Sequence, residues 1–158
     1  MADQDLVEEG LLRRALDGDR QADTEVSARA MAGSFRCQVG LLYALGSALS
    51  AGRISAGDYL EHAEALARMS AATGDRAERR RLACLLDLKA LDLRGRGAEN
   101  ASKMAHIECA ILLTRLADEG DDDALSLLNN LSGGMHPDSL AVANMGLKAM
   151  APPLERAE

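Results

Sequence analysis

The chain has 158 residues and a mass of 16.7 kDa, enough for one compact domain of ordinary size and too short for two well-filled ones. Its 18 Lys and Arg stand against 25 Asp and Glu, and the resulting charge of −7 repels phosphate backbones, so nucleic acid is not an expected partner. Counts of 29 Ala and 26 Leu against 10 β-branched residues, with no Trp, one Phe and two Tyr, leave a large sheet, an aromatic cage and a base-stacking platform without material.

The first five residues, Met1-Ala2-Asp3-Gln4-Asp5, are acidic where a secretory signal starts basic. The longest apolar runs, such as Cys109-Ala110-Ile111-Leu112-Leu113, fall far short of the roughly 20 residues that cross a bilayer. The expectation is therefore a cytoplasmic chain without a membrane partner. Cys37, Cys84 and Cys109 are odd in number and embedded in apolar sequence, which suits reduced thiols better than a disulfide framework.

Helix punctuation is clearer than hydrophobic period, because Ala-rich helices blur their polar faces. A first helix is expected over residues 6–17, inside an N-terminal stretch, 1–20, expected to be loosely ordered. Residues 24–51 follow as two helices or one weak one, since Gly33, Gly40 and Gly46 interrupt the pattern. Ser55 precedes Asp58 by three residues and Asp75 precedes Glu78 by three, each placing a side-chain acceptor over the orphan amides of a helix start. The helix from Ser55 carries Tyr59, Leu60, Ala63, Leu66, Ala67 and Met69 and stops at Gly74. The next, over residues 75–94, carries Leu82, Leu85, Leu86, Leu88, Leu91 and Leu93, and its scant polar face predicts the most buried helix of the fold.

Asn100 is the expected cap of a helix that holds Met104, Ile107, Ile111, Leu112 and Leu116 and ends at Gly120. Asp121, Asp122 and Asp123 then place negative charge at the amide end of a short helix through Leu125, Leu128 and Leu131, closed by Gly133-Gly134. Pro137 suits the first turn of a last helix with Leu140, Val142, Ala143, Met145 and Leu147, and Pro152-Pro153 forbids its continuation. Residues 151–158 are expected to be a loose end. The fold class is thus all-α: a single domain over residues 1–158, an antiparallel array of six or seven helices.

Glycines at 52, 74, 97 and 120 follow one another at steps of 22, 23 and 23, so a helical hairpin takes about 45 residues, and Gly18-Asp19 reads as a further copy of the Gly-Asp signal. Leu45, Ala51-Gly52, Ala63, Ala67, Ala71-Ala72 and Gly74-Asp75, echoed at Ala101, Ala105, Ala117 and Gly120-Asp121, resemble the tetratricopeptide-like family of helical-hairpin repeats over residues 41–131. The departures are Leu or Ala at most of the aromatic positions and a period longer than the usual 34 residues or so. The resemblance implies a scaffold that binds other proteins in a concave groove. A compact helical bundle with similar spacings is the other architecture the sequence allows.

Candidate sites are few. His106 and Cys109, three apart on one predicted helix, share a face and could share a metal ion, with Cys84, His62 or Glu61 completing the set only if the fold gathers them. Neither Cys-x-x-Cys nor His-Glu-x-x-His spacing occurs, so no metal, cofactor or catalytic residue is expected, and small buried thiols with ordinary histidines are the simpler account. His136, before Pro137, has no evident partner. The Asp121–Asp123 run lacks the alternating ligands of a calcium loop. Arg76, Arg79, Arg80 and Arg81 form the one basic cluster. They could grip an acidic peptide, or could simply form a solvated face paired with Glu78 or with the acids at 118–123.

The functional expectation is a non-catalytic protein-interaction module that buries a partner segment in an exposed groove, with Arg76, Arg79, Arg80 and Arg81 adding charge complementarity for an acidic partner. Homodimerisation through residues 140–150 is a second use of such a surface. The alternative class is a helical-bundle enzyme or sensor using His106, Cys109, Cys84 or His62 around a metal or ligand.

Overall fold

A computed structural model describes residues 2–132 of the chain. Seven helices follow one another: α1 (Ala2–Leu16), α2 (Arg20–Met31), α3 (Phe35–Ser50), α4 (Ala56–Ala71), α5 (Arg76–Gly95), α6 (Glu99–Asp118) and α7 (Asp122–Ser132). No strand occurs among the described residues, so the fold is all-α, as composition requires. The expected last helix at 137–150, the stop at Gly133-Gly134, His136 and the end at 151–158 lie outside the described residues.

Connections of three to five residues join the helices, and in each a glycine has positive φ: Gly18, Gly33, Gly52, Gly74, Gly97 and Gly120. At the α6–α7 turn the Gly120 amide donates to Ala117 O at 3.0 Å and the Asp121 amide to Leu116 O at 2.9 Å, which satisfies carbonyls that α6 leaves open. Gly120 stands at φ 88, a conformation that a Cβ resists. Asp121 then begins the next helix by accepting from the Ala124 amide at 2.9 Å. The α1–α2 turn repeats the device: Asp19 accepts from the amides of Gln21 and Ala22, and those amides together with the Arg14 guanidinium hold its carboxyl below the usual range. Ser34, Ser55 and Asp75 cap α3, α4 and α5 in the same way.

The cap expected of Asn100 is not found. α6 starts at Glu99 after Ala98, with no side-chain hydrogen bond, and Asn100 is an exposed residue of its first turn. The Gly97 turn alone ends α5 there, through the Ala98 amide to Leu93 O at 2.9 Å. The stretch at 24–51 is two helices, because Gly33 takes φ 105 and Ser34 caps, whereas Gly40 and Gly46 lie inside α3. Residues expected to be a loose N-terminal end form α1.

The chain divides into two compact units, Met1–Leu82 and Ala83–Glu158, and the division falls inside α5. In the first unit α1 packs on both α2 and α3, α2 on α3, and α3 on α4. Small residues line these interfaces. Ala22, Ala30, Ala63 and Ala67 are wholly or almost wholly buried beside Val26, Leu42, Leu60 and Leu66, and alanine lets helix axes come within about 8–10 Å. At Gly40 an added Cβ would meet the methyl groups of Leu12, so this glycine gives the Leu12 side chain of α1 its room against α3. Charges from α1 reach across as well: buried Glu8 lies 3.8 Å from Arg29, and Arg36 lies within 3.9 Å of Asp5 and Glu9. Gln38, buried, donates to Ala30 O at 3.0 Å and ties the end of α2 to α3.

In the second unit Ala83, Leu85, Leu86 and Ala90 of α5 are buried, as are Ala105, Cys109, Ala110, Leu113 and Leu116 of α6 and Ala124 of α7. Ser102 donates to Ala90 O at 2.6 Å, which satisfies a buried hydroxyl between α5 and α6. α5 is less sealed than its leucine content predicts: Leu91 is 51% exposed and Cys84 is exposed, since leucines spaced around a full turn cannot all face one neighbour.

Two glycine substitutions with no steric clash are expected to act in opposite directions. Gly120→Ala forces a side chain into the left-handed region and should cost about 1–2 kcal/mol. Gly10→Ala, in the open interior of α1, should gain about 0.5–1 kcal/mol from helix propensity. Urea midpoints of the two variants measure both.

Candidate partner-docking site

The four arginines sit on the first turns of α5, within the first unit. At 100° per residue Arg76, Arg79 and Arg80 share one sector of the helix, and Arg81 turns away from them toward the side of Glu78. Arg81 Nη1 lies 3.4 Å from Glu78 Oε2, and the same carboxylate, 4% exposed, accepts from Ser70 Oγ at 3.2 Å. A buried carboxylate thus orients Arg81 while Arg76 is exposed and Arg79 and Arg80 are half-buried. The basic run is not one four-fingered grip: it is a three-residue sector plus a single oriented guanidinium.

Arg81 borders a groove of about 580 Å³ over α3 and α4. Its floor is Leu42, Gly46, Ser47 and Tyr59, and Tyr43 stands at its edge, 67% exposed. Gly46, Ser47 and Ser50 on the last turns of α3, and Ala51 just after it, line the groove with small side chains. Tyr43 is a groove residue with no motif around it in the sequence. The signal lay in the distribution of aromatics: all three in the chain, Phe35, Tyr43 and Tyr59, fall within 25 residues, on α3 and the first turn of α4. A smaller groove of about 380 Å³ runs between α2, α3 and α4, with Met31, Leu45, Leu66 and His62 in its lining.

The His and Cys candidates take other positions. His106, 3% exposed, has Nε2 3.3 Å from Asp87 Oδ1. Cys109, three residues on, donates its thiol to Ala83 O at 3.1 Å, and burial pushes its pKa up to about 12. The two share a face as spacing predicts, yet each already has its own partner on α5. Cys84 is exposed on α5. His62 and Glu61 are exposed residues of α4 in the first unit, whereas Cys84, His106 and Cys109 belong to the second. Among the described residues no three His, Cys, Asp or Glu side chains are gathered as metal ligands. None of the described helices is long and apolar enough to cross a membrane.

Comparison with protein-family models, with curated proteins and with solved structures finds no match to this chain.

The thiols give a direct check of this geometry. At pH 8 one equivalent, Cys84, should react promptly with a thiol reagent, and Cys37 and Cys109 only after unfolding. Below the ordinary thiol value of 9.0, Cys109 is neutral folded or unfolded. Between there and about 12 only the unfolded chain ionises it, so stability should fall as pH rises through that window, and Cys109→Ala should flatten the fall in denaturation midpoints.

Proposed function

We propose that the chain is a non-catalytic protein-interaction module whose first unit takes an acidic partner segment in the α3–α4 groove. The observation that carries the reading is the placing of exposed Tyr43 and oriented Arg81 on the same groove. Tyr and Arg supply a large share of binding energy at protein interfaces, because each joins broad contact area to a directed polar group. Arg81 offers a carboxylate a planar, two-pronged donor, and Arg76, Arg79 and Arg80 raise the positive potential on the adjoining sector of α5. The protein as a whole carries −7, so this local excess of positive charge selects for acidic segments that the remaining surface repels. The likeness to tetratricopeptide-like repeats supports the same reading, since that family binds partner segments along stacked hairpins. A cytoplasmic location agrees with it.

Fluorescence anisotropy against a panel of labelled acidic peptides, some bearing an apolar anchor, tests the proposal. At least one peptide is expected to bind with a Kd of about 1–100 μM and to weaken as salt rises. Arg81→Glu and Tyr43→Ala are each expected to weaken it about tenfold or more, with helix content by circular dichroism unchanged. Binding indifferent to both substitutions would assign the groove no part in recognition.

A further inference from the structure

The second unit carries an apolar groove of its own, bounded by α5 and α6. α6 has 20 residues and α7 has 11, so at 1.5 Å per residue α7 runs about 16 Å along a helix about 30 Å long. It starts beside the end of α6, after a three-residue turn, and covers the later part of that helix. Leu128 and Leu131 there pack with Ile107 and Ile111 around buried Ala110. Beyond that contact the face of α6 is open: Met104 is 65% exposed, and a groove of about 640 Å³ lined by Leu86, Leu93, Met104, Ile107 and Ile111 runs along it. Ile107 and Ile111 belong to both, so the chain leaves α7 at the edge of the groove.

We propose that residues 137–150 of this chain dock in the α5–α6 groove and extend the array by one more helix. The sequence that follows α7 has the features the occupant needs. Gly133-Gly134-Met135-His136 can reach about 14 Å when extended, enough to step from Leu131 into the groove. Pro137 suits a helix start, Leu140, Ala143, Leu147 and Met150 recur at steps of three and four, and Asp138 and Lys148 are the only charges in the segment. Exposed Met104 supplies an adaptable contact for such a stripe. The tether decides between this segment and a second copy. A four-residue connector gives an effective concentration on the order of millimolar, against which a separate molecule at micromolar concentration cannot compete for the same groove.

Trypsin reads the docking in the full chain, because Lys148 is the only Lys or Arg between residues 116 and 155. Cleavage after Lys148 is expected to be slow in the intact protein compared with a synthetic peptide of residues 137–158. Met104→Asp in the groove and Leu140→Asp in the segment should each speed it about tenfold or more, since cleavage follows the population of the undocked form. Should Met104→Asp lose its fold, Leu140→Asp decides, because it lies outside the seven helices. Peptide-like cleavage of the unsubstituted chain, or an unchanged rate in Leu140→Asp, overturns the proposal. Protection that fades on dilution also overturns it and gives the groove to a second copy.

Discussion

Each helix end leaves four carbonyls without an internal partner and each helix start leaves four amides, and the described residues must reconcile the two within three to five residues, six times over. A left-handed glycine folds the chain back so that the amides just after a helix reach its last carbonyls. A Ser or Asp one to three residues later covers the amides of the next helix in five of the six turns. Short turns of this kind leave successive helices antiparallel neighbours, and the rest of the packing follows from that adjacency. The Gly97 turn, with Ala98 in the cap position, shows that the glycine is the indispensable half of the device.

Adjacency alone does not create a core; the facing surfaces have to be small enough to meet. Alanine performs that task in both units, with leucine filling the spaces between, and Gly40 leaves room for the Leu12 side chain. Such packing is apolar and non-directional, so polar specificity comes from a few buried groups: Gln38 to the end of α2, Ser102 to Ala90, Ser70 to Glu78. The last of these also aims Arg81. One carboxylate, Glu78, thus joins the core to the surface: it is buried on the side of Ser70 and pairs with the Arg81 guanidinium beside the groove.

The helices were largely legible because their boundaries rest on local chemistry. Ser55 and Asp75 announce themselves by spacing alone, since a cap bonds only residues two or three positions away, whereas the capping by Asp19 and Ser34 emerged only in the folded chain. Asn100 misled for the same reason: a good cap type one or two residues inside a helix looks no different in sequence from one at its start, and only the conformation at Gly97 decides. The candidate site was legible in part. The arginine run is visible in the sequence, but its division into a sector of three and a separate Arg81 depends on helix phase and on the buried Glu78. For Tyr43 the clustering of the three aromatics was the one sign, because an exposed tyrosine in an apolar helix has the same local sequence surroundings as a buried one.

The sequence by itself determined the class, the turns and the order of helices, because glycine conformation, capping and the scarcity of β-branched residues act over a few residues and need no distant partner. Tertiary structure decided which faces became grooves, which thiols became inaccessible and which arginine was oriented. Those outcomes depend on which residues of distant helices meet: Gly40 against Leu12, Cys109 against Ala83, Ser70 against Glu78. No local rule encodes them, since each arises from the angle and separation at which whole helices pack.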